Sequence, residues 1–304
     1  MRVNKMWNWI LLAGLLSVPV APAAGQSNQQ QKADELFKAG EWAKAAQAYA
    51  DLTKAEPENA QAWFQLGASL HEIAEFSRSA EAFEKAEKAG FRPAAQALFR
   101  QVRAYARAGD RDKAFAALAR LAAAGFLNTQ LLNSQADLES LRADARFAEA
   151  LKEIDKNARP CAYRPEYRQL DFWIGEWDVF PTGGQGQAGS SSIQLILDRC
   201  IIFENWTGTN GYTGKSFNLF DSTTGKWEQI WVDSRGGIIK FEGQLKDGVL
   251  HYYADAPGPN GEPGQRHLQF IPQGPNQVRQ FSQRTGDGGK TWQVEYDLTY
   301  KRKQ

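Results

Sequence analysis

Residues 36–49 read LFKAGEWAKAAQAY, residues 70–83 read LHEIAEFSRSAEAF, and residues 105–118 read YARAGDRDKAFAAL. The three stretches superimpose with a period of 34 to 35 residues, a spacing that belongs to stacked helical pairs. Leu36, Leu70 and Tyr105 open each copy, and Gly40, Ala74 and Gly109 fall at the turn between its two helices. Lys44, Arg78 and Lys113 each precede a small residue: Ala45, Ser79 and Ala114. Tyr49, Phe83 and Leu118 then occupy one bulky apolar position. Small residues let paired helices approach closely, and the bulky position fills the gap between copies. Copies two and three both end in Ala-Gly-Phe, at Ala89-Gly90-Phe91 and Ala124-Gly125-Phe126.

With Trp63, Leu66 and Gly67 on the first helix of the second copy and Pro57 closing the first, residues 27 to 126 resemble the tetratricopeptide repeat family. Copy one lacks the early Trp and Leu of that pattern, and copy three lacks the Trp. Residues 127 to 156 read as a further helical pair with an apolar face at Leu138, Leu141, Phe147 and Leu151, which caps the array. Its stretch DLESLRADARF, 137–147, is similar to the ends of such arrays in exported bacterial proteins. The array thus spans 27–156. The resemblance implies a concave face for a peptide or protein partner. Its groove positions fall on Asp34, Phe37, Gln61, Phe64, His71, Gln96, Phe99 and Arg103. The extended segment bound there is the chain's own or a partner's. A spacer or platform role for the repeats stands beside this reading.

After Arg159-Pro160 the texture changes, and residues 157–164 read as a linker. Trp173, Gly175, Trp177 and Val179 alternate with Ile174, Glu176, Asp178 and Phe180, which puts the Trp side chains on one face and the carboxylates on the other. Ile193, Leu195 and Leu197 repeat the alternation. Trp292, Val294, Tyr296, Leu298 and Tyr300 do so on the last strand, against Gln293, Glu295, Asp297, Thr299 and Lys301. Turn signals recur between these runs at Asn210-Gly211, Thr224-Gly225, Gly236-Gly237, Asp247-Gly248 and Asp287-Gly288-Gly289. About ten strands are predicted: 171–181, 190–199, 200–208, 213–221, 226–234, 237–244, 248–254, 265–272, 276–285 and 290–302. The fold class is therefore multidomain, an all-α repeat array followed by an all-β antiparallel domain at 165–304, sandwich or barrel.

Gly175-Glu176-Trp177 is the Gly-x-Trp that opens calycin barrels. With Glu204-Asn205-Trp206, Ser216-Phe217-Asn218, the run 227–233 (WEQIWVD) and the run 287–292 (DGGKTW), it resembles a bacterial family of lipocalin-like domains. These look distantly like nitrobindin and fatty-acid-binding barrels, and no agreed activity comes with them. The haem-ligating His of nitrobindins lies on a late strand. The last two strands here contain none, so haem does not carry over.

Among 304 residues, 36 Lys plus Arg stand against 35 Asp plus Glu. That balance argues against nonspecific nucleic-acid binding. Residues 1–25 read as a cleaved signal peptide: Arg2 and Lys5, then an apolar run from Trp9 to Leu16, then a small, Pro-broken segment with Ala21, Ala23 and Gly25. The apolar run is too short to span a bilayer, so no stable membrane anchor is expected after its removal. A periplasmic or secreted location follows. It would place Cys161 and Cys200, the two cysteines of the chain, in an oxidising compartment where they are expected to bond.

Chemical motifs are sparse. Residues 184–189, GQGQAG, match G-x-G-x-x-G, but a strand follows where a dinucleotide site needs a helix. No G-x-S-x-G, H-E-x-x-H or C-x-x-C occurs, and no metal or cofactor is expected. Asn205-Trp206-Thr207 is a glycosylation sequon, read here as packing within a strand. Polar and aromatic residues mix on the middle strands. The predicted barrel interior carries Trp173, Trp177, Glu204, Trp206, Gln229, Trp231, Gln280 and Tyr296, with Glu204, Gln229 and Gln280 as a polar floor. The preferred function is a non-enzymatic binding protein, its repeats docking a partner and its barrel holding a small amphipathic ligand. The rivals are a hydrolase or isomerase that joins Glu204 or Asp233 to an inward-facing His251 or His267, and a scaffold with a filled barrel.

Overall fold

The structure is a computed structural model that describes residues 24–258 and 261–304. Except for its last two residues, the expected leader lies outside them. The chain divides into two compact units between Ile154 and Asp155. No helix among the described residues is long and apolar enough to cross a membrane.

The first unit is a helical array. Its helices are α1 (Ala24–Lys38), α2 (Trp42–Ala55), α3 (Ala60–Glu72), α4 (Phe76–Lys88), α5 (Ala94–Ala108) and α6 (Arg111–Ala123). Tyr49, Phe83 and Leu118, the bulky position of each copy, are completely buried. The small positions explain how the pairs close up. A Cβ added to Gly67 on α3 would lie 2.8 Å from the Phe83 ring on α4, and Ser79 donates to the Gly67 carbonyl at 2.7 Å. Gly40 and Gly109 both take the left-handed conformation that ends a helix, with φ of +72° and +77°. Ala74, at the aligned position, takes it too, with φ of +60°.

The expected helical pair after residue 127 is less regular than predicted. It consists of a short α7 (Thr129–Ser134), a 3-10 helix (Ala136–Leu141) and α8 (Ala145–Ala158). Leu132, Leu138, Leu141 and Phe147 still bury themselves against the array.

The second unit is a closed, ten-stranded antiparallel barrel in which each strand pairs with its sequence neighbours and the first with the last. The strands are β1 (Gly175–Pro181), β2 (Gly189–Ile196), β3 (Ile201–Gly208), β4 (Thr213–Asp221), β5 (Lys226–Asp233), β6 (Ile238–Lys246), β7 (Val249–Asp255), β8 (Gln265–Pro272), β9 (Gln277–Thr285) and β10 (Gln293–Arg302). Closure leaves no sheet edge unpaired.

Two local departures from the predicted strands matter. Residues 171–173 form a 3-10 turn, not the start of β1. The strand begins at Gly175, whose φ of +137° is open to glycine, and whose missing side chain leaves room for Arg302. The Arg302 guanidinium lies 4.3 Å from the Trp177 ring centroid and donates to the Ile174 carbonyl. Trp173 therefore enters the barrel from a turn. It is fully buried, with Phe270 edge-on at 4.7 Å.

The second departure is a bulge between Val294 and Tyr296 on β10. A bulge inserts one residue and reverses the alternation beyond it. Val294, predicted inward, is 59% exposed, and Glu295, predicted outward, lines the interior.

One end of the barrel is sealed by the segment that precedes β1. A short helix α9 (Pro160–Tyr163) and a 3-10 turn (Pro165–Arg168) lead into it. Tyr167 meets Phe220 edge-on at 5.3 Å, and the Trp227 indole donates to Gln169 at 2.8 Å. Cys161 is bonded to Cys200 in the β2–β3 turn, which ties this plug to the wall.

Candidate functional site

Above the plug, the barrel encloses a cavity of about 420 Å³. Strand parity decides what faces it. On β3, Ile202, Glu204 and Trp206 point inward; on β5, Trp227, Gln229 and Trp231 do. Trp173, Trp177 and Trp227 fill the sealed end as solid core. Glu204, Gln229 and Gln280 come next, each at most 5% exposed and each in the cavity wall. Trp206, Trp231 and Tyr296 stand in the wall with them. Of the eight predicted interior residues, the cavity thus brings six together, while Trp173 and Trp177 lie below it.

The Trp rings in the wall depend on glycines in the neighbouring strands. A Cβ on Gly214 would sit 2.2 Å from the Trp231 ring, and one on Gly189 would sit 2.8 Å from the Trp206 ring. Each indole packs over a glycine of the neighbouring strand, where no side chain stands.

Glu204 sits in a net of hydroxyls. Ser191 and Ser216, on the two adjacent strands, each donate to it at 2.9 Å, and Tyr300 across the barrel donates at 3.4 Å. Burial pushes its carboxyl up to about 7 against the opposing pull of those donors. The net continues sideways. Asn218 donates to Ser216 at 3.0 Å, and Gln229 donates to Asn218 at 2.9 Å. Tyr252 donates to the same Asn218 oxygen at 3.3 Å. Gln280 is the exception: its buried amide nitrogen has no hydrogen-bond partner among the described residues. A buried donor in that state costs on the order of 1–3 kcal/mol.

A second polar cluster lies in the cavity wall. Arg266 grips both oxygens of Glu295, with Nη2 to Oε1 at 2.6 Å, and Ser282 donates to Glu295 at 3.0 Å. Burial would raise the Glu295 carboxyl, but Arg266 and Ser282 hold it below its ordinary value. Sequence reasoning missed this pair, because the bulge that turns Glu295 inward leaves no mark in the alternation.

His251 and His267 lie on the outer wall, since Leu250, Tyr252 and Leu268 take the inward positions of β7 and β8. Their rings face each other at 5.2 Å, with Nδ1 of His251 and Nε2 of His267 3.0 Å apart. Asp233 accepts from the backbone of Arg235 and Gly237 in a turn. His251 and His267 therefore face away from Glu204, and the imidazole–carboxylate pair of the rival reading is not formed among the described residues.

The eight groove positions on the array separate. Asp34 accepts from Tyr49 at 2.5 Å and from Gln30 at 2.8 Å, and Phe37 packs edge-on against Trp42. Gln61 and Gln96 are exposed. Phe64 is a core residue, stacked on Phe91 at 4.1 Å. Phe99 stacks on Phe126 at 5.9 Å. His71 and Arg103 converge on one group, Asp137 of the 3-10 helix after α7, at 3.2 and 2.7 Å. Arg107 joins them at 2.9 Å. The chain's own capping segment occupies that part of the face.

No protein-family model and no curated protein matches the chain. Among the solved structures that match it, three cover 44% of the chain each. The CopN–Scc3 complex matches at 16% identity with a TM-score of 0.32, over 69% of that chain. The TPR2B domain of yeast Sti1 in its pHsp70 complex matches at 17% and 0.31, over 98% of that chain. PcrH, in complex with the chaperone binding region of PopD, matches at 15% and 0.32, over 96% of that chain.

Proposed function

We propose that this chain is an exported, non-enzymatic binding protein whose barrel holds a small amphipathic ligand and whose repeats dock a protein or peptide partner. The observation that carries the barrel's part is the cavity of about 420 Å³, lined by Trp, Tyr and Leu side chains and floored by Glu204, Gln229 and Gln280, whose amide nitrogen lacks a partner among the described residues. Mostly apolar walls with a few fixed polar groups are the usual form of a small-molecule site. The repeats contribute as stacked helical pairs with exposed Gln61 and Gln96, and export is supported by the bonded cysteine pair.

The test is mass spectrometry of small molecules that co-purify with the full chain, followed by fluorescence titration of what is found. Trp231→Ala should weaken the response, and Glu242→Ala on the exposed outer wall should not. Equal responses from the two variants, or no response to any ligand, would reject the barrel's part.

A further inference from the structure

We infer that the barrel cavity takes a small organic cation, with its positive group against Glu204 and its apolar part against the aromatic wall. The inference rests on the reading of the cavity as a ligand site and narrows the chemistry of the ligand.

It starts from an imbalance of charge. Glu204 is 3% exposed, and its hydrogen-bond partners are three hydroxyls, those of Ser191, Ser216 and Tyr300. Buried carboxylates are ordinarily paired with a cation, because hydroxyls alone do not offset the loss of water around a full charge. Among the described residues, the cation that lines the cavity wall is Arg266, and it is already held by Glu295 through both carboxylate oxygens. With that pair neutral, the ionised form of Glu204 leaves the cavity one negative charge in excess.

The groups facing Glu204 do not supply the missing charge. β2 and β4 present Ser191 and Ser216, and β10 presents Tyr296 and Tyr300. Both tyrosines are pushed above their ordinary values, chiefly by burial and then by Glu204 itself, so they stay neutral. Burial likewise pushes Glu204 up to about 7, the response of a carboxyl that lacks a positive neighbour.

The wall suits a cation in a second, independent way. Trp206, Trp231 and Tyr296 line the cavity with Glu204. The faces of such rings attract an ammonium or alkylammonium group, most strongly when it is shielded from water. An anion would meet repulsion from the ionised Glu204. Gln280 adds a donor without a partner among the described residues, which suits an ether, carbonyl or hydroxyl oxygen on the same ligand.

The experiment is calorimetric titration of the full chain with three probes of similar size: the permanent cation benzyltrimethylammonium, neutral 2-phenylethanol and anionic 3-phenylpropanoate. Near pH 8 the cation should bind about tenfold or more tightly than either of the others. As the pH falls to about 5.5 and Glu204 takes up a proton, that preference should shrink severalfold, to the part that the aromatic rings supply. Glu204→Gln, which preserves the shape of the side chain, should show that smaller preference at both pH values, with no dependence on pH.

If 2-phenylethanol or 3-phenylpropanoate binds as tightly as the cation near pH 8, the inference is overturned and the cavity reading stands. If all three probes fail, and the larger neutral N-phenyl-1-naphthylamine fails as well, the cavity reading falls and takes the inference with it. Should Glu204→Gln not fold, the native protein decides by itself: a cation affinity that does not change with pH overturns the proposal.

Discussion

Arg103 on α5 and Asp137 on the 3-10 helix, 34 residues apart, form an ion pair with Nε to Oδ2 at 2.7 Å. Asp137 also accepts from Arg107 at 2.9 Å and lies 3.2 Å from Nε2 of His71. One side chain of the capping segment thus holds three basic groups of the repeat face. Removing one member of a buried pair leaves the other charge stranded, at about 3–5 kcal/mol. Arg107 is 48% exposed and can turn to water, so Asp137→Asn should cost about 2–3 kcal/mol. Urea denaturation measures it. An unchanged midpoint would mean that the capping segment is held by its leucines alone.

The same cluster makes the array sensitive to acid. Burial, followed by the competing pulls of Asp137 and Arg103, holds His71 below its ordinary value. The unfolded chain therefore takes up a proton at His71 near the ordinary histidine pKa of about 6.5, while the folded array resists until lower pH. In that window the unfolded state binds more protons, so stability falls as pH falls. Asp137, held below the ordinary carboxylate range by its arginines, adds a loss of the same sign at lower pH. His71→Gln should flatten the decline just below about pH 6.5 and leave the lower one in place. A decline that is identical in both proteins would assign it elsewhere.

Ala74 offers a stabilising change. It sits at φ +60°, where the aligned positions are Gly40 and Gly109. A left-handed conformation costs an L-residue roughly 1–2 kcal/mol, and glycine escapes it at the price of a more flexible unfolded chain. Ala74→Gly should therefore gain about 0.5–1 kcal/mol. A lower melting temperature for this variant would show that the Ala74 methyl makes contacts that outweigh the backbone cost.

How far the sequence could be read depended on periodicity. The repeat register was visible in Tyr49, Phe83 and Leu118 because helical stacking forces one volume into one recurring position. Glu204, Gln229 and Gln280 were legible as a floor because alternation holds through the middle of β3, β5 and β9. Alternation failed where the backbone breaks it. The turn before Gly175 and the bulge before Tyr296 both change a side chain's direction through φ and ψ, which composition does not record. The occupied face at Asp137 was hidden for another reason. Repeat alignment finds the positions that form a groove, but it does not say what lies in it.

The cavity wall can be tested without a ligand through Gly214. A Cβ there would come within 2.2 Å of the Trp231 ring, so Gly214→Ala must push the indole out of its seat. Overpacking of this kind costs about 1–3 kcal/mol. The displaced indole should also shift the protein's fluorescence. A variant with native stability and an unchanged emission spectrum would show that Trp231 is not pinned over Gly214.

Glu204 gives the barrel a pH response opposite to that of the array. Its carboxyl is raised by burial from 4.5 to about 7 in the folded protein. Between those values the folded state binds the extra proton, so stability rises as pH falls through about 7 and is lost as pH rises. Each pKa unit is worth about 1.4 kcal/mol, which puts the full swing at about 3 kcal/mol in the empty barrel. Glu204→Gln carries no titrating group and should remove the swing. It should also leave the variant more stable than the native protein near pH 8, since an amide can still meet Ser191, Ser216 and Tyr300 without burying a charge. Hydrogen exchange of the β3 and β4 amides reads the barrel apart from the array. Protection in the native protein should deepen between about pH 8 and pH 5 after correction for the intrinsic rate, and in Glu204→Gln it should stay level. If protection stays level in the native protein too, then Glu204 either stays neutral up to high pH or already has a positive partner inside the barrel.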